Sequence, residues 1–151
     1  GFDGASHDYY YSEEPDTSKN IKEGEKFPKH LMVYAAVAFN RKFPLVFCEN
    51  GIKINSQYYQ DAILQSTISY GNENFGSGNW VFIQDSAPSH RSKNTQEFLC
   101  NNVPFISASK WPSCSPDLNP LDYCIWGMLK HKVYSQKIKT LSELKTVIED
   151  E

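Results

Sequence analysis

The chain is expected to fold as one α/β domain with a mixed sheet flanked by helices, on three observations. Apolar runs of strand length alternate with stretches of helical period, in the order strand, hairpin, helix, strand, helix, strand, helix, helix. A length of 151 residues, 40% apolar and 14% aromatic, suits a single core spanning residues 1–151. The run Trp80-Val81-Phe82-Ile83-Gln84 ends abruptly at Asp85 and the turn-forming Ala87-Pro88-Ser89. That puts a carboxylate at the carboxyl end of a strand, where ligand sites of open α/β sheets gather.

Each element has its own signal. Asp8-Tyr9-Tyr10-Tyr11-Ser12 reads as a short aromatic strand behind the hairpin-turn signal Asp3-Gly4. Glu13 to His30, with Pro15, Gly24, Pro28 and four lysines, reads as a surface loop. Leu31–Phe39 and Pro44–Cys48, joined by Asn40-Arg41-Lys42, form an antiparallel hairpin. Beyond the turn at Glu49-Asn50-Gly51, Asn55 or Ser56 caps a helix to about Ser69, with Tyr59, Ala62, Ile63 and Ile68 facing inward. Gly71 to Asn79, with three Gly and three Asn, reads as a loop.

Trp80–Ile83 has the composition of a strand buried on both faces. A helix to Asn101 follows, capped by Ser92 or by Asn94 with Glu97 as its capping-box partner. Val103-Pro104-Phe105-Ile106 should then run parallel to the Asp85 strand, because a helix separates the two. Ser107 to Pro116 is a Pro- and Ser-rich loop. Asn119-Pro120 opens a helix whose apolar positions are Leu121, Ile125, Met128 or Leu129, and Val133, and Asp122 lies in its first turn. Thr140 to Glu151 begins a last helix on Leu141, Leu144, Val147 and Ile148.

Composition narrows the function classes. No apolar run approaches the roughly 18 residues of a membrane span, so no membrane partner is expected. The first residues carry no secretory signal, and the opening Gly1-Phe2-Asp3, inside what reads as a hairpin, suggests part of a longer chain. Cys48, Cys100, Cys114 and Cys124 form no C-x-x-C pair, which points to free thiols rather than a zinc site or a disulfide framework. The net charge of −3 is unevenly spread: residues 86 to 139 hold 3 acids and 7 Lys/Arg, whereas residues 1 to 85 hold 11 and 7. The basic segment contains or adjoins Asp85 and Asp122 and suits a phosphate-bearing partner, although an ordinary solvated surface reads the same way.

Two carboxylates at the open end of a sheet, Asp85 from a strand and Asp122 from a helix, suit Mg²⁺ or Mn²⁺. These hard ions take oxygen ligands and share them with substrate phosphates. The bland alternative for Asp85 is that it caps the following turn. Asp117 reads as a turn organiser, Trp126 as core, and His131 as part of a solvated face.

Gln84-Asp85-Ser86-Ala87-Pro88-Ser89-His90 and Trp111-Pro112-Ser113-Cys114-Ser115-Pro116-Asp117-Leu118-Asn119-Pro120-Leu121-Asp122-Tyr123 resemble the catalytic domain of mariner-like transposases. That family belongs to the ribonuclease-H-like group with an acidic triad. The first stretch is similar to its Asp-Asn-Ala-Pro-x-His, with Ser86 in place of Asn, and Met32 to Gly51 resembles its central hairpin. The resemblance implies a ribonuclease-H-like mixed sheet flanked by helices. Asp85 would be the second acid and Asp122 the third, holding Mg²⁺ or Mn²⁺ for strand cleavage and joining of DNA.

It further implies DNA as partner, at transposon ends and target, a homodimer, and the nucleus as location. His90, Lys130 and Lys132 become candidate DNA contacts, His90 alternatively steadying the Asp85 loop. The departure is at the front: the family's first acid lies on an opening strand, which is expected to be missing here. Asp3 and Asp8 read as turn and hairpin residues rather than substitutes. The rival reading is a non-catalytic remnant that keeps a DNA-binding or interaction role.

Overall fold

The computed structural model describes residues 3–11, 29–48, 51–112, 115–136 and 138–150. Strand β1 (Asp3–Tyr11) lies antiparallel to β2 (Lys29–Ala38), in register from Asp3↔Val37 to Tyr11↔Lys29. Asp3 and Gly4 are thus ladder residues, not the expected turn, and most of the expected Glu13–His30 loop falls outside the described residues. β3 (Arg41–Lys42) and β4 (Val46–Cys48) both return along β2, as the hairpin pattern predicts. The pairing slips by one residue between Val37↔Lys42 and Tyr34↔Val46, a bulge that lets Phe43 turn into the core.

β2 is buried on both faces, and its alternation sorts the core into two halves. Met32, Tyr34, Ala36 and Ala38 join Tyr59, Ile63, Leu64, Phe82 and Leu99 in one cluster. Leu31, Val33, Ala35 and Val37 join Leu121, Trp126, Leu129, Val133, Leu144 and Ile148 in the other. Helices therefore cover both sides of the sheet.

The first helical stretch runs unbroken through α1 (Ser56–Tyr58), a π-turn (Tyr59–Leu64) and α2 (Gln65–Phe75). Asn55 caps it, its Oδ1 accepting from the Tyr58 N–H at 2.8 Å. The helix outruns its expected end at Ser69 because Gly71 is needed within it. A Cβ there would lie 2.4 Å from the Trp80 ring, and Trp80 Nε1 donates to Asn72 Oδ1 at 3.0 Å. The helix stops at Gly76, whose φ is +85°.

β5 (Ile83–Gln84) runs parallel to β1, with Asp3↔Ile83 and Gly4↔Gln84, giving the order β3-β2-β1-β5. The Trp80–Ile83 run is buried on one face rather than two: Trp80, Phe82 and Gln84 are buried, while Val81 is exposed. The expected parallel strand at Val103–Ile106 is a single Phe82↔Phe105 bridge. Between them lie α3 (Pro88–Arg91) and α4 (Lys93–Asn102). Ser92 caps α4; Asn94 does not, and Glu97 pairs with Lys93 instead of closing a capping box. A 3₁₀ turn (Pro116–Leu118) and a π-turn (Leu121–Ile125) lead into α5 (Trp126–Ser135), and α6 (Leu141–Glu149) follows behind a Thr140 cap.

The strand slot beside β5 bears on the front of the chain. β1, which carries the Asp3–Tyr11 segment, stands between β2 and β5, and the expected opening strand with the first acid is not among the described residues. Among the described residues, no helix is long and apolar enough to cross a membrane.

Candidate active site

Asp85 follows β5 directly, and its carboxylate is fixed from two sides. Oδ1 accepts from the Ala87 N–H at 3.1 Å, the turn-capping contact that a strand-end Asp offers. The same oxygen meets His90 Nδ1 at 2.5 Å. The Asp85 side chain is 34% exposed. Burial raises the Asp85 pKa, but the His90 hydrogen bond and charge, with the Ala87 N–H, outweigh it, and the carboxyl sits below its ordinary value.

His90 is buried and does not reach the surface. Its ring stacks on Tyr59 with centroids 4.2 Å apart. The Tyr59 hydroxyl donates to Gln84 Oε1 at 2.8 Å, and Gln84 Nε2 donates to the His90 carbonyl at 3.2 Å. Burial above all, then the neighbouring Tyr34 and Asp85, pushes the Tyr59 hydroxyl well above its ordinary pKa, so it remains a donor at neutral pH. Gln84 and Tyr59 were passed over as site residues by sequence reasoning. The signal was available: Gln84 shares the buried phase of the strand with Phe82, and a buried amide requires partners.

Asp122 is held differently. Asn119 is buried, its Oδ1 accepts from the Leu121 N–H at 3.0 Å, and its carbonyl accepts from Asp122 N–H at 2.9 Å and Tyr123 N–H at 3.1 Å. These bonds start the π-turn, with Leu121 fully buried and Asp122 exposed beside it. The π geometry places one extra residue per turn between the buried Leu121 and Trp126.

The two acids border one cleft. Asp85 and Asp122 line a single cleft of about 200 Å³, walled by Ser86, Trp111, Pro112, Ser115 and Pro116. Lys130 and Lys132 are exposed on α5, downstream of Asp122. Asp117 is exposed on the 3₁₀ turn, and Trp126 is buried in the core. Asp3 and Asp8 stand on β1, where Asp3 pairs with Ile83 and Gly4 with Gln84 of β5. Among the described residues, no three His, Cys, Asp or Glu side chains group to hold a metal.

A family model described as DDE superfamily endonuclease matches residues 1–145. The chain belongs to this family. It is 32% identical over 122 residues to the transposable element Tc3 transposase of Caenorhabditis elegans, covering 80% of this chain and 35% of that protein. The chain thus spans about a third of that relative's length. Two solved structures share the fold. One is the Mos1 transposase catalytic domain with Raltegravir and Mg, at TM-score 0.75 and 16% identity, over 99% of this chain and 68% of that one. The other is the Mos1 transposase paired-end complex with left transposon end, at TM-score 0.77 and 16% identity, over 99% and 46%. The fold of this DDE family member is therefore the ribonuclease-H-like one that its motifs resemble.

The donor set of the cleft fits a divalent cation. Two carboxylates supply hard oxygen ligands, and Mg²⁺ or Mn²⁺ binds through one or two carboxylates while keeping water or phosphate oxygens in its remaining positions.

Proposed function

We propose that this chain is part of the catalytic region of a DNA transposase, in which Asp85 and Asp122 hold Mg²⁺ or Mn²⁺ for cleavage of DNA phosphodiesters and transfer of the freed 3′ end. One observation carries the reading: a strand-end and a helix-start carboxylate with 36 residues between them line the same cleft. Mg named with the Mos1 catalytic domain, and transposon-end DNA named with the Mos1 complex, support the cofactor and the substrate.

When bound, the cation neutralises charge on the phosphodiester oxygens and favours the deprotonated attacking hydroxyl. The protein's own part is positional. The low pKa of Asp85 keeps it ionised at neutral pH, and His90 and Ala87 hold Oδ1 in place. Asn119 fixes the turn that presents Asp122. His90 acts as a positioning residue through Asp85, while exposed Lys130 and Lys132 are assigned to backbone phosphates. DNA as substrate makes the nucleus the working compartment, and pairing of two transposon ends calls for a homodimer.

The test is calorimetric titration of Mn²⁺ into the chain, the Asp85→Ala variant and the Asp122→Ala variant. Each substitution should remove most of the binding; affinity indifferent to both would move the site elsewhere. A second reading, a DNA-binding remnant without cleavage, is favoured by the lack, among the described residues, of a third acid grouped with Asp85 and Asp122. Cleavage of a duplex carrying the transposon ends, lost in Asp85→Ala, would reject it.

A further inference from the structure

The His90 carbonyl is the meeting point of two side-chain amides. Gln84 Nε2 donates to it at 3.2 Å from the strand side, and Gln96 Nε2 donates at 2.9 Å from α4. The other end of each amide is engaged as well. Gln84 Oε1 accepts from the Tyr59 hydroxyl at 2.8 Å, and Gln96 Oε1 accepts from the Ala108 N–H at 3.0 Å. A continuous line of hydrogen bonds therefore runs from Tyr59 through Gln84, the His90 carbonyl and Gln96 to Ala108.

The far end of that line is a wall of the cleft. The Ser107 carbonyl accepts from the Lys110 N–H at 2.9 Å and the Trp111 N–H at 3.2 Å, closing residues 107–111 into a turn. Trp111 lines the same cleft as Asp85 and Asp122. The near end is the turn whose His90 ring holds Asp85 Oδ1. Gln96 itself is anchored by the Ser92-capped first turn of α4, where its N–H donates to the Ser92 carbonyl at 3.0 Å. Thr95 Oγ1 and Ser92 Oγ both donate to the Ser89 carbonyl, at 2.8 and 3.1 Å, so the α3–α4 corner is already tied down. What Gln96 adds is the link across to residues 107–111.

We propose that Gln96 is a positioning residue that locks the turn carrying His90 to the Ala108–Trp111 wall, and so sets the width of the Asp85–Asp122 cleft. The proposal rests on the metal-site reading for its consequence, though not for its geometry. The amide serves both partners at once, donating to a carbonyl that can only accept and accepting from a backbone N–H that can only donate. A carboxylate at position 96 keeps the bond to Ala108 and loses the bond to His90; an ammonium does the reverse. His90 is the outer-shell partner of Asp85, and loss of such a partner typically costs about tenfold or more in metal affinity, so Gln96 acts through it.

The opposite losses give a test that a merely stabilising glutamine would fail. Gln96→Glu and Gln96→Lys are compared with the parent chain by NMR of the His90 ring and the Trp111 indole N–H, without metal, and by Mn²⁺ titration. The expected result is a split: Gln96→Glu moves the His90 signals and leaves Trp111 near its parent position, and Gln96→Lys moves Trp111 more than His90. Both should weaken Mn²⁺ binding, by about tenfold. Equal movement of both signals in both variants, or lowered thermal stability with signals and Mn²⁺ affinity unchanged, would overturn the proposal. Asp85→Ala separates the two claims. If it leaves Mn²⁺ affinity intact, the metal site is wrong, while the split in the NMR signals still decides whether Gln96 bridges the walls.

Discussion

The two acids of the cleft are held by opposite kinds of structure. Asp85 stands on the side of the sheet where polar groups are built into the core: Gln84, His90 and Thr95 are buried there, and Tyr59 bonds directly to Gln84. Asp122 stands on the side where the core is mainly apolar, with Leu121, Trp126, Leu129, Val133 and Leu144 packed with Leu31, Val33 and Ala35, and the buried Asn119 that starts its turn is the polar exception. On that side the β2–β3 hairpin, α5 and α6 also border a largely apolar, partly open groove of about 550 Å³. Directional hydrogen bonds fix the angle of a side chain, whereas packing fixes the depth of an element and leaves its surface groups freer. The Asp85 half should therefore respond to chemistry and the Asp122 half to volume.

The strongest way to break that contrast is Leu121→Ala. Leu121 is fully buried next to Asp122 and also borders the groove, so little can collapse into the space it leaves. The expected loss is about 2–5 kcal/mol of unfolding free energy. Denaturant unfolding that moves by less than the low end of that range would show that the apolar half does not carry α5.

A smaller effect is expected from His90→Phe, which keeps a ring for Tyr59 to stack on but removes the partner of Asp85. Stability should fall by about 1 kcal/mol, since solvent screens a partly exposed carboxylate. The sharper readout is pH. The folded-state pKa of Asp85 lies below its unfolded value, so the stability it contributes is present above the ordinary value of 3.8 and is lost as pH falls through the lower folded value. Without His90, burial is opposed only by the Ala87 N–H, and the pKa should rise. The gap in stability between the parent and the variant should then narrow as the pH drops below about 4. A carboxyl NMR titration that leaves Asp85 unmoved in the variant would locate the cause of its low pKa elsewhere.

The same division explains what the sequence showed and what it hid. Apolar periodicity announced the Asp122 half: Leu121, Leu129, Val133, Leu144 and Ile148 are buried at the spacings read from the chain. Met128, the alternative to Leu129, points to solvent. The strand ending at Asp85 was legible too, as was the α/β order. The brace behind Asp85 was not, because Tyr59, Gln84 and Gln96 come from three separate elements and no local pattern joins them. The helix past Ser69 was hidden by Gly71, which signals a loop in sequence but serves close contact with Trp80. Asp3-Gly4 misled in the same way, because β1 takes the central slot and absorbs a turn signal into its ladder.

The weakest effect on folding and the most informative one on function come from the same substitution. Lys130 and Lys132 are exposed on α5, while Leu129 and Val133 on either side of them are buried, so replacing both lysines by Ala should leave unfolding nearly unchanged. If they touch backbone phosphates, each contact releases counterions, and the logarithm of DNA affinity falls with the logarithm of salt by about 0.9 per contact. The double change should then flatten the slope by up to about two units while weakening binding alike for every duplex sequence. Titration of a short duplex at several salt concentrations measures this directly. An unchanged slope would mean that α5 uses only its apolar face, to hold Asp122, and that the DNA path crosses the cleft from another side.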